Sequence, residues 1–208
     1  MVRQLTSHDE PKKLTYGARR EQEVYNLISR WFPNALKEVY VHRNNSQIVE
    51  IDIAVVHTSG IYIFEVKTKR GKIFGSPNDK YWVAQHSETK SSKFFNPLKQ
   101  TESHVRNLSK LYRISPLSCY SFIVFTDRVD ISGVEYRTNQ TAVCLKRDLP
   151  NILNRIKNNK NTPISPFVLD DIYQDLSYKS GVEKYREIHK SSVIQKRTKR
   201  KSPTRRTW

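Results

Sequence analysis

The chain has 208 residues, and its 37 lysines and arginines against 20 aspartates and glutamates give a formal net charge of +17. Such a length suits one domain with short extensions. Neither a membrane span of roughly 20 apolar residues nor a secretory leader is visible in the sequence. We therefore expect an intracellular protein, cytoplasmic or nucleoid-associated, without membrane contact. The excess charge favours a polyanionic partner, because lysine and arginine neutralise phosphates. The alternatives are a basic surface that serves only solubility and one that binds acidic membranes.

The first predicted element is a helix, preceded by a polar segment at residues 1–15 that we expect to be flexible. Apolar residues recur with helical spacing from Val24 to Trp31, and Pro33 follows the end of this pattern. Glu21 lies three residues before Val24 and therefore shares the buried stripe. An acid in that position either forms a structural salt bridge or lines a site.

The next stretch, EIDIAVVHTSGIYIFEVK, predicts two apolar strands joined by a hairpin loop at residues 57–60. Counting down the ladder from this loop places Asp52 opposite Glu65, and two residues further it places Glu50 opposite Lys67. Like charges on one rung are destabilising unless a cation lies between them, and a divalent metal with the Lys67 ammonium would supply it. The alternative is a solvated ion pair at a strand end, since Glu-x-Lys alone is a weak motif.

Further strands are predicted on both sides of the middle of the chain. Residues 72–74 and 79–83 predict strands that extend the same sheet as a meander, and the polar residues 85–93 predict a loop. Residues 119–125 are apolar on both faces and predict a buried central strand, and residues 141–145 predict another. Each of these last two contains one of the two cysteines, which we expect to be buried free thiols.

Three more helices are predicted, and together with the first they would cover both sides of the sheet. Asn96 followed by proline is typical of a helix start, and this helix should run to about Tyr112. Gln100 lies near its N-terminal end, where anions bind favourably; a solvated surface role is the alternative. Asp148 and Ser165 begin the other two helices, each with a proline close behind.

The sequence ends in a strongly basic segment, residues 181–208, with almost no acidic residue after its first third. Such runs are typical of disordered tails that bind polyanions without specificity. A solubilising extension is the alternative. Residues 16–180 would then form a single folded domain between the two flexible ends.

The motifs, taken in order, resemble a known family. They are Gly17 with Glu21-x-x-Val24, Glu50-Ile51-Asp52, Gly60-Ile61-Tyr62, Glu65-Val66-Lys67, Gly71, Trp82 and Asn96-Pro97-x-x-Gln100-x-x-x-His104. This set is similar to the nuclease-related domain, NERD, which looks like a branch of the PD-(D/E)xK nuclease superfamily, and it covers residues 17–112. One position departs from the family pattern, because Arg20 stands where a glycine usually precedes the glutamate of the first helix.

The resemblance implies an α/β protein with a restriction-endonuclease-like core. In such a core a mixed central sheet carries an acidic β-hairpin and is flanked by helices. The basic C-terminal tail, expected to be disordered, would lie outside it. Beyond residue 112 the resemblance gives no support, so the later elements depend on the hydrophobic pattern alone.

The resemblance also implies five active-site residues in this chain, namely Glu21, Asp52, Glu65, Lys67 and Gln100. The carboxylates of Asp52 and Glu65, with the Val66 carbonyl, would bind Mg²⁺, for which Mn²⁺ would substitute. Lys67 would orient or deprotonate the attacking water, or stabilise charge on the phosphate. Glu21 and Gln100 would be accessory residues that hold the metal shell, the water or the phosphate.

The function that follows is metal-dependent hydrolysis of phosphodiester bonds in a nucleic acid, with DNA as the expected substrate. Two alternatives stay open at this point: a nucleic-acid-binding protein that has the nuclease-like fold without catalysis, and a nuclease that is active only with a partner. Cleavage of both strands of a duplex by one active site per chain would need a homodimer or two successive nicks.

Overall fold

The computed structural model describes residues 14–44, 47–126, 128–134 and 136–201. Most of the segment predicted to be flexible, residues 1–15, therefore lies outside the described residues. The helices are α1 (Tyr16–Ser29), α2 (Pro97–Tyr112), α3 (Leu149–Lys157), α4 (Pro166–Tyr178) and α5 (Glu183–Lys201). The strands are β1 (Leu36–Asn44), β2 (Gln47–His57), β3 (Gly60–Lys67), β4 (Gly71–Phe74), β5 (Tyr81–Gln85), β6 (Ser91–Phe95), β7 (Cys119–Phe125), β8 (Val129–Gly133) and β9 (Thr141–Leu145).

The central sheet has five strands in the order β1-β2-β3-β7-β9. Strands β1, β2 and β3 pair antiparallel, whereas β7 pairs parallel with both β3 and β9, so the predicted mixed sheet is confirmed. The hairpin has the predicted register, but the turn is tighter because His57 pairs with Gly60. Gly60 has a φ of 135°, and a Cβ there would lie 2.5 Å from the Ser118 carbonyl oxygen, so this corner requires glycine.

Helices cover both faces of the central sheet, as the hydrophobic pattern predicts. On one face α1 and α3 pack against the sheet in a core that includes Val24, Phe64 and Leu153. On the other face α2 and α4 pack in a second core around Leu108 and Ile172. Burying each such side chain contributes about 1.5–3 kcal/mol, so the sheet between them is a rigid support. Both cysteines are buried free thiols, which confirms that prediction.

Strands β4, β5 and β6 do not extend the central sheet, and the prediction of a meander is wrong on this point. They form a second sheet of four strands in the order β6-β5-β4-β8, in which β8 pairs parallel with β4. The predicted loop at residues 85–93 is shorter than expected, because residues 86–90 connect β5 and β6 of a β-hairpin while residues 85 and 91–93 belong to its strands. The inner face of this sheet buries Ile73, Trp82 and Ala84 against Leu98 and Phe125.

The basic segment also differs from its prediction, because Glu183–Lys201 forms helix α5 instead of a disordered tail. The start of this helix packs on the edge of the central sheet, where Tyr185 stacks on Tyr40 at 6.4 Å between ring centroids. Arg186 pairs with Glu38 on β1. Residues 202–208 lie outside the described residues. Across the described part of the chain, no helix has the length and apolar character that crossing a membrane requires.

Candidate active site

The structure brings the five predicted site residues to one place. Glu21, Asp52 and Gln100 line a cleft of about 930 Å³ between α1, β2, α2 and α5. Glu65 and Lys67 lie directly behind it at the end of β3. These two alternate with Phe64 and Val66, which face α1 and α3, so their side chains point to the side of the sheet covered by α2.

Lys67 is the centre of a polar cluster that joins β3 to α2. Its Nζ donates to Glu65 Oε1 at 2.5 Å and to Gln100 Oε1 at 3.1 Å. Glu65 is only 2% exposed, and the Lys67 side chain is 17% exposed. A charge pair so far removed from water is strong evidence of a defined geometry, because each partner would be costly to bury alone.

Asp52 lies on the rung that follows the last regular pair of the hairpin, Ile53 with Phe64. Its Oδ2 accepts a hydrogen bond from the Val66 amide at 2.7 Å, so the side chain continues the ladder where backbone pairing stops. Asp52 in the middle of β2 and Glu65 near the end of β3 therefore lie next to each other just beyond the last paired rung, as the predicted register requires. The role of the Val66 carbonyl as a ligand stays a prediction.

His104 is a residue of the site that the sequence reasoning did not select. It is 3% exposed, and its Nε2 lies 3.5 Å from Glu65 Oε2. Among the described residues neither of these two atoms has a hydrogen-bond partner. The spacing Gln100-x-x-x-His104 was the available signal, since residues one helical turn apart lie on the same face.

The comparison with known families decides what kind of domain this is. The model of the nuclease-related domain, NERD, matches residues 16–126, which is more than half of the chain. The chain belongs to the NERD family. The match confirms the resemblance seen in the motifs and extends it through β7, the central strand that pairs with the strand carrying Glu65 and Lys67.

An uncharacterized protein of Bacillus anthracis is similar to this NERD protein. The two chains are 26% identical over 136 residues, which make up 64% of this chain and 63% of the relative. The match thus spans less than two thirds of the relative's length. No solved structure matches the chain.

The ionisable side chains of the NERD site change one another's pKa values. Burial raises the pKa of Asp52 well above its ordinary value, and the negative charge of Glu65 raises it further, while Lys67 offsets part of this effect. Burial also acts to raise the pKa of Glu65, but the adjacent ammonium of Lys67 and the contact with His104 outweigh it and hold this pKa below its ordinary value. Without a further cation the two carboxyls therefore differ, because Glu65 is the stronger acid of the pair and Asp52 is the one that ionises less readily.

The other two ionisable residues of the site respond to the same field. Burial lowers the pKa of Lys67, but the neighbouring carboxylates Glu65 and Asp52 more than compensate and keep the ammonium charged. Glu21 is half-buried on α1, and burial together with the charge of Glu50 raises its pKa. Three carboxylates, Glu21, Asp52 and Glu65, thus act on the single ammonium of Lys67.

The residues present fit a divalent cation with oxygen ligands. Glu65 Oε2 is a buried acceptor without a hydrogen-bond partner among the described residues, and burial and the charge of Glu65 both disfavour ionisation of Asp52, an effect that a bound cation would offset. No group of three or more His, Cys, Asp or Glu side chains within the described ranges is arranged to hold a metal. A cation here would therefore use two carboxylates and complete its shell with water and substrate, as Mg²⁺ commonly does.

Asn96 of the Asn-Pro motif does not line the cleft, but it holds in place the helix that carries Gln100. Its side chain is fully buried, and its Nδ2 donates to the carbonyls of Ser76, Pro77 and Asp79 at 2.7–3.2 Å. Its Oδ1 accepts from the Leu98 amide at the start of α2. The residue thereby fixes the helix that carries the site glutamine to the second sheet.

Proposed function

We propose that this NERD protein is a metal-dependent nuclease that hydrolyses phosphodiester bonds in DNA, with Mg²⁺ held by Asp52 and Glu65 and with Mn²⁺ as a substitute. The observation that supports it most is the cluster in which Lys67 contacts both Glu65 and Gln100 behind an open cleft. A purely structural ion pair between Lys67 and Glu65 would not need a second buried carboxyl, Asp52, whose ionisation is disfavoured by burial and by the charge of Glu65.

Each residue has a distinct part in this proposal. A bound Mg²⁺ supplies activation of water and neutralisation of phosphate charge. Lys67 would stabilise the negative charge that develops on the phosphate, because its ammonium is already oriented by two oxygen acceptors. Gln100 uses its carbonyl for Lys67 and can offer its amide hydrogens to the water or the phosphate. Glu21 lines the edge of the cleft, and its raised pKa makes it bind a proton more readily than an ordinary glutamate.

The cleft also carries groups that suit a phosphate backbone. Arg43, Lys99 and Arg106 line it, and the chain as a whole has a net charge of +17. Glu50 and Glu102 line it too, so the positive charges are placed at particular points rather than spread evenly. Binding driven by such contacts weakens steeply with added salt.

Helix α5 supports a second candidate function, a nuclease whose cleft opens only with a partner. His189, Ser192 and Val193 of this helix line the cleft. His189 Nδ1 lies 3.0 Å from the Glu50 carboxylate on β2, which ties the helix across that side. In this case isolated protein would cleave slowly, and a variant that releases α5 would cleave faster.

A homodimer for cleavage of both strands is a separate proposal, which sedimentation would test.

The test is cleavage of supercoiled plasmid and of single-stranded DNA in Mg²⁺, Mn²⁺ or EDTA by wild type and Lys67→Ala. The matched control is Lys110→Ala, an exposed lysine at the far end of the helix that carries Gln100. We expect cleavage that requires the metal, is lost in Lys67→Ala and persists in the control, with circular dichroism confirming that each variant is folded. Cleavage that survives Lys67→Ala would contradict the proposal.

A further inference from the structure

The outer face of the second sheet exposes three aromatic rings to solvent. Phe74 on β4, Tyr81 on β5 and Phe95 on β6 are 39%, 41% and 46% exposed. Each alternates with a residue of the inner face, such as Ile73 and Trp82, which are fully buried in the core. The rings are therefore on the opposite side from the core and are not needed to fill it.

The strand register places these rings on one face across three strands. Tyr81 pairs with Phe95, and their rings lie 6.2 Å apart at 81°. Phe74 pairs with the half-buried Val83, which in turn pairs with the exposed Lys93. Phe74 and the Tyr81–Phe95 pair therefore share one face with Val83 between them, and an exposed apolar patch usually marks an interaction site.

Lysines accompany the rings. Lys72 Nζ lies 5.5 Å from the ring centroid of Phe74, and Lys80 Nζ lies 5.6 Å from that of Tyr81. At the β8 edge Asp130 approaches Lys72 at 3.8 Å, so one of these cations already has an acidic neighbour. The patch as a whole combines flat aromatic surfaces with positive charge, which is complementary to bases joined by phosphates.

The patch continues into the candidate active site. Phe95 is the last residue of β6, and it also lines the cleft together with Lys99 and Gln100. The chain passes from Phe95 through the buried Asn96 into α2 without an intervening loop. A ligand lying across the sheet would therefore reach the cleft directly.

We propose that this aromatic face, formed by Lys72, Phe74, Tyr81, Lys93 and Phe95, binds unpaired bases of a single-stranded nucleic acid and leads that strand into the cleft. The inference rests on the proposed function of the cleft and adds the substrate class. Bases in a duplex present only their edges, whereas unpaired bases stack on exposed aromatic rings, with lysines contacting the phosphates between them. Stacking of this kind tolerates any base, so no sequence preference is expected.

The test is fluorescence anisotropy with a fluorescein-labelled thymidine homopolymer and a labelled duplex of equal length, both in EDTA so that nothing is cleaved. We compare wild type with Phe74→Ala and Tyr81→Ala, and with Phe167→Ala as the control, since Phe167 is 86% exposed on α4 away from the patch. Each patch variant should weaken single-strand binding roughly tenfold. Duplex binding and the control variant should change little.

A second readout tests contact directly. Photocrosslinking of an iododeoxyuridine-containing single strand, followed by mass spectrometry, should place the crosslink at Tyr81 or Phe74. If both variants bind the single strand as tightly as wild type, or if single strand and duplex weaken equally, the aromatic face does not have this role. Absence of single-strand binding by wild type would overturn the inference as well and assign the face to another partner.

These outcomes are separable from those of the cleavage test. If cleavage requires the metal but the patch variants bind the single strand as tightly as wild type, the aromatic face is refuted and the nuclease proposal stands. Loss of single-strand binding in Phe74→Ala and Tyr81→Ala, in a protein that cleaves nothing, would support the binding face and refute the catalytic proposal.

Discussion

Replacing Asp52 with asparagine should stabilise the fold in the absence of metal. Burial and the charge of Glu65 raise the pKa of Asp52, and Lys67 offsets only part of that effect. Asparagine retains an oxygen that can accept the hydrogen bond from the Val66 amide, which is 2.7 Å long in the wild type. The substitution therefore removes an unfavourable charge while it preserves the local geometry.

The magnitude follows from the position of the two carboxyls on adjacent strands. Directly opposed residues have Cβ atoms about 4.5–5.5 Å apart, and two unit charges about 5 Å apart repel by roughly 3 kcal/mol at an effective dielectric constant of about 20. Lys67 reduces this value, since it attracts both carboxylates. We expect Asp52→Asn to raise the free energy of unfolding by about 1–3 kcal/mol near neutral pH in EDTA.

The gain should depend on pH. The folded-state pKa of Asp52 lies above its unfolded value, so wild type loses stability as the pH rises from the ordinary aspartate value of 3.8 through the raised value. Below that window the carboxyl is protonated in both states and the difference disappears. Urea denaturation followed by tryptophan fluorescence at about pH 3 and about pH 7 measures the change. The reasoning would be refuted if the variant is less stable than wild type at neutral pH, or if the difference in free energy of unfolding between the two proteins is the same at both pH values.

Three further predictions concern charge, backbone and docking. Lys67→Ala leaves Glu65 buried without its cation and should lower the free energy of unfolding, measured in urea, by about 3–5 kcal/mol. Adding Glu65→Gln to this variant should restore most of the lost stability, and a double variant no more stable than Lys67→Ala would contradict this account. Gly60→Ala, whose Cβ would lie 2.5 Å from a backbone oxygen at a φ of 135°, should cost about 1–3 kcal/mol by thermal unfolding, whereas Gly17→Ala in α1 should not destabilise. Arg186→Ala removes the pairing of α5 with β1 and should speed tryptic cleavage within α5; an unchanged rate would argue against this docking.

Local signals were sufficient for the elements whose ends depend on nearby residues. Asn96 and the proline after it predict the start of α2, where the structure shows the Asn96 side chain accepting from the Leu98 amide. The bounds of β7 and β9 also match their prediction, because their apolar runs are buried in the sheet. The position of Asp52 beside Glu65, one rung beyond the last regular pair, could be predicted for a similar reason, since a short turn fixes the register of a hairpin.

Pairings between distant segments could not be read in this way. The hydrophobic pattern of β4 does not say that it pairs with β5 and β8 rather than with β3, and β8 is a partly polar edge strand without a clear pattern. The docking of α5 depends on Glu38 and Tyr40, which are nearly 150 positions earlier in the chain. Likewise, His104 reaches Glu65 only because α2 crosses the end of β3.

The most direct measurement for the central claim is the rate at which Asp52→Asn cleaves a labelled single strand in saturating Mg²⁺. Wild type is measured beside it at the same concentration of folded protein and with the same fraction of protein bound to DNA. The account predicts that the variant, which in EDTA is at least as stable as wild type, binds the strand with similar affinity and has lost strand cleavage. Cleavage by Asp52→Asn at the wild-type rate would show that the carboxylate pair is not the catalytic centre.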